Sequence, residues 1–207
     1  MEEQTIIEER WNAISHAFGA ILGIAGLIIL LVFNQGKTDF SVFSIILYSI
    51  SIIALFSAST IYHSVRSDRW KRFWRKIDHI SIYFLIAGTY TPIALITMEE
   101  GSGWTIFWIV WGIAILGTLL KIFFTGKFEA ISLLLYLAMG WLIIFYIAEL
   151  FDSMSSLGLT LMAVGGGFYT LGTIFYAVKK IPYNHVIWHF FVLGGAIAHY
   201  FMVLVEV

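Results

Sequence analysis

Residues 184–205 read NHVIWHFFVLGGAIAHYFMVLV, and this stretch sets the character of the chain. It contains no Asp, Glu, Lys or Arg, and a helix needs about 20 mostly apolar residues to cross a bilayer. His185 and His189 stand at its start. On a helix this spacing puts both side chains on one face, where they can reach a single metal ion. Ionisable groups at membrane depth are costly, which makes the pair a candidate functional site.

The composition of the whole chain is that of a membrane protein. Of its 207 residues, 60% are hydrophobic and 12% are charged, against about 25% charged residues in a soluble domain. The chain contains no cysteine, so any metal must bind imidazole, carboxylate or water. The first ten residues are acidic and polar without a basic region, which predicts that the first helix is not a cleavable signal peptide.

Six further apolar runs precede this segment, and all seven are long enough to span a bilayer. The runs are continuous, whereas a membrane β-barrel would show shorter segments of alternating polarity. The sequence therefore predicts an all-α integral membrane protein, a single seven-transmembrane helix bundle over residues 1–207. The approximate predicted helices are residues 15–33, 43–62, 77–98, 104–124, 130–148, 157–178 and 185–205.

The distribution of lysine and arginine predicts the orientation of the bundle. The N-terminus and the loops after the second, fourth and sixth helices share one side and hold eleven of the twelve basic residues, while Lys37 lies opposite. The positive-inside rule then places the N-terminus in the cytoplasm and the C-terminus outside. Residues 66–76 carry six of the eleven, with Trp70 and Trp74. We interpret this loop as an orientation signal that contacts lipid headgroups, and not as a nucleic-acid site.

The predicted topology brings polar residues from distant parts of the chain to the cytoplasmic end. His63 ends the second helix, and Ser59 lies one turn deeper on the same face. Asp78 lies in the first turn of the third helix. His185 and His189 begin the seventh helix at the same level. We therefore expect these five residues to lie close together.

The chemistry of these residues predicts a metal site with one zinc ion per chain. A catalytic zinc takes three protein ligands and a water molecule, whose pKa it lowers to about 7. His63, His185 and His189 could supply the three ligands. Asp78 could be a fourth ligand, or could hold the water and accept its proton, and Ser59 could donate a hydrogen bond to a developing oxyanion. Affinity alone does not select zinc over iron or manganese.

Each of these residues also has a simpler interpretation. Paired histidines can hydrogen-bond between helices, Asp78 can be an interfacial carboxylate, and Ser59 can be a small packing residue. The metal hypothesis therefore depends on residues from three helices lying close together, and not on any single residue. We interpret His16 and His79, at the same level, as headgroup-level or interhelical groups. His199 lies roughly 21 Å further along the last helix and belongs to the outer half.

Four short blocks in order carry a family resemblance that covers essentially the whole chain. The blocks are residues 9–19 (ERWNAISHAFG), 59–64 (STIYHS), 78–79 (DH) and 185–189 (HVIWH). With them the chain resembles the haemolysin III family, a bacterial branch of the progestin and adipoQ receptor superfamily. We accordingly expect a multi-pass protein of a bacterial plasma membrane.

The resemblance has implications for the site. It implies zinc on His63, His185 and His189, with Asp78 bound through water. The chain is similar at this site to the adiponectin receptors and to the alkaline ceramidases, which share the His/Asp/Ser constellation; the ceramidases hydrolyse lipid amides. The resemblance also implies a seven-helix bundle with its N-terminus inside.

Several functions are open at this point. The first is a zinc-dependent lipid amide hydrolase, whose lipid substrate, or a free fatty acid, would lie among the helices. The second is a non-enzymatic membrane sensor or homeostasis regulator with structural zinc. The third is a pore or cytolytic protein, which the clustering of polar residues at one side disfavours. The fourth is a coupled transporter, in which residues 165–167 (GGG) could break the sixth helix, although close packing explains these glycines equally well.

Overall fold

Long helices make up almost all of the computed structural model, which describes residues 4–125 and 127–207. Residues 1–3, which begin the acidic N-terminal stretch, and Gly126 lie outside the described residues. Seven helical segments are long and apolar enough to cross a membrane, which confirms the predicted all-α, seven-span fold class. The helices are α1 (Ile6–Phe33), α2 (Ser41–Ser64), α3 (Asp68–Pro92), α4 (Gly103–Phe124), α5 (Glu129–Gly140), α6 (Ile147–Ser153), α7 (Ser156–Ala177) and α8 (Asn184–Glu206).

The helix α1 begins at Ile6 and not at residue 15, because a capping box precedes the apolar run. The backbone N–H of Glu8 donates to the Thr5 hydroxyl (3.2 Å), and the Glu8 carboxylate accepts from the backbone N–H of Thr5 (2.8 Å). The helix α3 likewise begins at Asp68 and not at residue 77, so most of the basic stretch that we predicted as a loop is helical. These additional turns place polar side chains of α1 and α3 on helices beside the histidines.

The fifth span is interrupted, whereas the sequence predicts a continuous helix over residues 130–148. The helix α5 ends at Gly140, a 3₁₀ segment follows over Leu142–Tyr146, and α6 continues the span. The hydroxyl of Tyr90, on α3, donates to the carbonyl of Gly140 (2.8 Å) and accepts from the backbone N–H of Ile143 (3.0 Å). A break at membrane depth is tolerated because a neighbouring side chain satisfies the freed backbone groups.

The sixth span is unbroken at its three consecutive glycines. The helix α7 runs continuously through Gly165, Gly166 and Gly167. A Cβ atom at Gly165 would collide with the ring of His199 on α8, so this glycine permits close packing of the two helices. Of the two explanations that the sequence left open for these glycines, a helix break and close packing, the unbroken helix agrees with close packing.

The helix α1 packs between α2 and α8 and so determines the distance between them. Its contact with α2 is close at Gly19, where a Cβ atom would lie 2.8 Å from the ring of Phe56. This packing aligns the N-terminal turns of α1 with the end of α2 and the start of α8. The assignment of that end to the cytoplasm remains a prediction from charge.

Candidate metal centre

Two helices bring the three predicted metal ligands together. His63 lies in the last turn of α2, and His185 and His189 lie in the first two turns of α8. One possible ligand atom from each ring lies within 4.8 Å of those of the other two. The ring centroids form a nearly equilateral triangle, with separations of 5.3 Å for His63–His185 and 4.8 Å for both His63–His189 and His185–His189.

The chemistry of this triangle fits a metal ion that prefers imidazole. The side chain of His63 is fully buried, and its Nε2 atom has no hydrogen-bond partner among the described residues. A buried polar atom without a partner is costly, and a metal ion would satisfy it. Nitrogen ligands at about 2.0–2.1 Å from one zinc lie about 3.3 Å apart, so the three ligand atoms, now within 4.8 Å of one another, would have to move closer together to bind one ion.

The other ring nitrogen of His63 is held by a carboxylate that is not among the predicted site residues. Its Nδ1 atom lies 2.6 Å from Oε2 of Glu9, on α1. The second oxygen of Glu9 accepts from the ammonium of Lys71 (2.7 Å), on α3, which in turn lies 4.5 Å from the centre of the Tyr62 ring. The sequence pattern that indicates a role for Glu9 is helical spacing, because Glu9, Asn12 and His16 lie on one face of a helix.

The same face of α1 contacts the second helix of the site. The Nδ1 atom of His189 lies 3.3 Å from the backbone carbonyl of Asn12 and therefore donates to it. The ring of His16 stacks on that of His189, with centroids 3.7 Å apart, and both its nitrogens lack a partner among the described residues. His16 is thus a buried interhelical group that contacts both α2 and α8.

His79 is also interhelical and lies outside the three-histidine group. Its Nδ1 atom donates to the backbone carbonyl of Arg75 (2.6 Å), and its Nε2 atom is 4.0 Å from a carboxylate oxygen of Glu129. Lys121 and Arg75 contact the same carboxylate at 3.0 Å and 3.4 Å. These contacts join α3, α4 and α5 at this end of the bundle.

Ser59 and Asp78 line the same cavity as His185 and His189. The hydroxyl of Ser59 is buried and has no partner in the described part of the chain. Asp78 is half-buried and does not belong to the group of ligand atoms within 4.8 Å. Asp78 therefore lies in the cavity wall and outside the three-histidine group.

The cavity is elongated along α8 and mostly apolar. Its volume is about 310 Å³, and it is lined by residues of both α3 and α7, by the interrupted fifth span and by α8. Both His185 and His199 lie in its wall, so it extends roughly 21 Å along α8. One leaflet contributes about half of a hydrocarbon core of about 30 Å, so this length accommodates a fatty acyl chain.

Comparison with known proteins supports the family resemblance. A family model described as "Haemolysin-III related" matches residues 4–200. Hemolysin-3 of Bacillus cereus is 43% identical over 202 residues, which are 97% of this chain and 92% of that protein. The Hemolysin-3 homolog of Bacillus subtilis (strain 168) is 44% identical over 202 residues, 97% of this chain and 94% of that protein.

A more distant relative extends the likeness beyond bacteria. The human monocyte to macrophage differentiation factor is 30% identical over 209 residues, covering 96% of this chain and 84% of that protein. The seven apolar helices and the bacterial relatives agree with a multi-pass membrane protein of bacteria. The matches run along nearly the whole chain, and this protein belongs to the haemolysin III-related family.

Proposed function

We propose that this protein is an integral membrane zinc hydrolase that cleaves a lipid amide. The observation that supports this proposal best is the position of the histidine triangle. Two of its members, His185 and His189, line an apolar cavity whose wall also contains Ser59 and Asp78. Histidines that could hold a metal ion, a carboxylate, a hydroxyl and an apolar space long enough for an acyl chain therefore border one cavity.

The proposed reaction assigns a task to each side chain. When bound by His63, His185 and His189, zinc would activate water and polarise the substrate carbonyl. The carboxylate of Asp78 would accept a proton from the water while the oxygen of the water bonds to the carbonyl carbon of the substrate. The hydroxyl of Ser59 would donate to the oxyanion that develops. The C–N bond then breaks, and the proton held by Asp78 passes to the leaving amine, so the products are a fatty acid and an amine.

The shape of the cavity supports a lipid as the substrate. Its wall beyond the histidines consists largely of Leu, Ile, Met and aromatic side chains, which would hold an acyl chain and exclude bulk water. Exclusion of water strengthens the electrostatic interactions at the reacting carbonyl. The amide end of the lipid would then lie at the histidines, and the chain would extend toward His199.

A second candidate function is a non-enzymatic sensor in which zinc is structural. One observation favours it: the ligands come from α2 and α8, which both pack on α1. A metal ion would fasten these two helices to each other directly. In that function Asp78 would have no role in turnover, and lipid binding in the cavity would change the helix arrangement.

The test measures fatty acid release from an N-acyl lipid by mass spectrometry, with zinc-loaded protein in vesicles. The Asp78→Asn variant should lose at least about 100-fold in rate, as expected for removal of a general base. Asp68→Asn is the matched control, because Asp68 is an exposed carboxylate in the first turn of the same helix. Zinc binding without release of fatty acid by the wild type would instead support the structural role.

A further inference from the structure

The carboxylate of Glu9 connects three helices at the histidine triangle. It lies on α1, accepts from His63 of α2 at 2.6 Å and accepts from Lys71 of α3 at 2.7 Å. The His63 side chain is fully buried, and that of Glu9 is 23% exposed. Both contacts are at charge-assisted hydrogen-bond distance, so Glu9 is held firmly where it meets the imidazole.

This contact determines which nitrogen of His63 is available. A carboxylate oxygen accepts a hydrogen bond, so Nδ1 of His63 carries the proton and Nε2 carries the free lone pair. That Nε2 atom is the one that is buried without a partner among the described residues. The hydrogen bond to Glu9 therefore favours the tautomer of His63 in which the lone pair of Nε2 is available to bind a metal ion.

The helix α1 also accepts a hydrogen bond from a histidine of α8, the second helix of the site. The carbonyl of Asn12, one turn after Glu9, accepts from Nδ1 of His189 at 3.3 Å. Residues three apart lie on the same face of a helix, so one stripe of α1 contacts a ligand from α2 and a ligand from α8. The capping box at Thr5 and Glu8 extends α1 far enough to supply this stripe.

We propose that Glu9 is a positioning residue for the metal centre, which fixes the tautomer and ring orientation of His63. This inference rests on the proposed metal site. Carboxylates that accept from a metal-ligating histidine raise its basicity, and their loss typically costs about 10–100-fold in metal affinity or activity. Lys71 has the lesser task of holding the Glu9 carboxylate in place.

The experiment measures zinc affinity by chelator competition on purified full-length protein. Glu9→Ala should raise the zinc Kd about 10–100-fold. Glu9→Gln, which retains an acceptor oxygen without the charge, should recover part of this loss. Glu8→Gln is the matched control, because Glu8 is the neighbouring residue and glutamine preserves a capping box. It should change the Kd less than about threefold.

A second readout separates positioning from a general contribution to folding. Cobalt(II) replaces zinc at saturating concentration, and its visible absorption spectrum reports the geometry of the ligands. Glu9→Ala and Glu9→Gln should shift this spectrum, whereas Glu8→Gln should leave it close to that of the wild type. A merely structural ion pair between Glu9 and Lys71 would instead make Lys71→Met and Glu9→Ala equally harmful to thermal stability, with unchanged spectra.

The outcomes distinguish this inference from the proposed function. If wild type binds zinc and Glu9→Ala, still folded, binds it equally tightly with an unchanged cobalt spectrum, the positioning role is overturned and the metal centre stands. If wild type binds no zinc or cobalt, both proposals fail together. A weakened Kd with a shifted spectrum in folded Glu9→Ala supports the positioning role, whether or not lipid turnover is found.

Discussion

The rings of His16 and His189 stack with centroids 3.7 Å apart and planes inclined by 17°, which joins α1 to the N-terminal turns of α8. His16 also makes an edge contact with Phe56 of α2. The ring is therefore a packing element between the two helices that supply the histidine triangle.

Removal of the His16 ring should destabilise the bundle at this junction. We expect His16→Ala to lower the free energy of unfolding by about 2 kcal/mol, because it leaves a cavity and abolishes the stacked pair. His16→Phe should recover most of that loss, since it restores an aromatic ring. Thermal unfolding of both variants in detergent tests this, and an unchanged midpoint for His16→Ala would contradict it.

The break in the fifth span should depend on one hydroxyl. Tyr90→Phe leaves the carbonyl of Gly140 and the N–H of Ile143 without their partner, which should cost about 1–3 kcal/mol. Tyr146→Phe is the control, because the hydroxyl of Tyr146 makes no hydrogen bond within the described residues. Hydrogen exchange at the 3₁₀ segment should accelerate in Tyr90→Phe and stay unchanged in the control; equal rates in both would refute the explanation.

Some features of this molecule were accessible from the sequence, and others were not. Seven continuous apolar runs indicate the spans, and the four-residue spacing of His185 and His189 places them on one face whatever the neighbouring helices are. The break at Gly140 depends on Tyr90, a side chain 50 positions away. No local pattern contains that contact, so the periodicity alone predicts a continuous helix.

The contribution of α1 to the site was missed for a different reason. The apolar run begins near residue 15, and the prediction followed that run. The capping box at Thr5 starts the helix earlier, which turns Glu9 into a helical residue facing His63. A reading of capping signals together with hydropathy would have included these turns.

The close approach of α1 and α2 should be sensitive to a single methyl group. Gly19→Ala places a Cβ atom 2.8 Å from the Phe56 ring, so the buried ring or one of the two helices must shift. We expect a loss of about 1–3 kcal/mol with weaker zinc binding. Gly167→Ala is the control, because a Cβ atom there meets no described atom within 4 Å. Alanine is the better helix former, so this control should be neutral or slightly stabilising. Comparable losses in both would show that the contact with Phe56 is unimportant.

The far end of the cavity should determine the length of acyl chain that is cleaved. Met162 lines that end on α7, near His199. Met162→Trp should reduce release of long fatty acids relative to short ones by about tenfold, because the larger ring fills the space for the last methylene groups. Val164→Trp adds the same bulk at a position that is 45% exposed on the outside of the helix. An identical chain-length profile in Met162→Trp and Val164→Trp would argue against acyl binding at this end.

The most direct test of the metal centre is the metal content of the purified protein, prepared without chelator, by mass spectrometry. We expect about one zinc per chain in the wild type and in His199→Ala, whose ring lies far from the triangle. We expect the zinc to be lost in His63→Ala and in His189→Ala, after thermal unfolding has shown that each variant is folded. No metal in the wild type, or undiminished zinc in both ligand variants, would contradict a metal centre shared by α2 and α8.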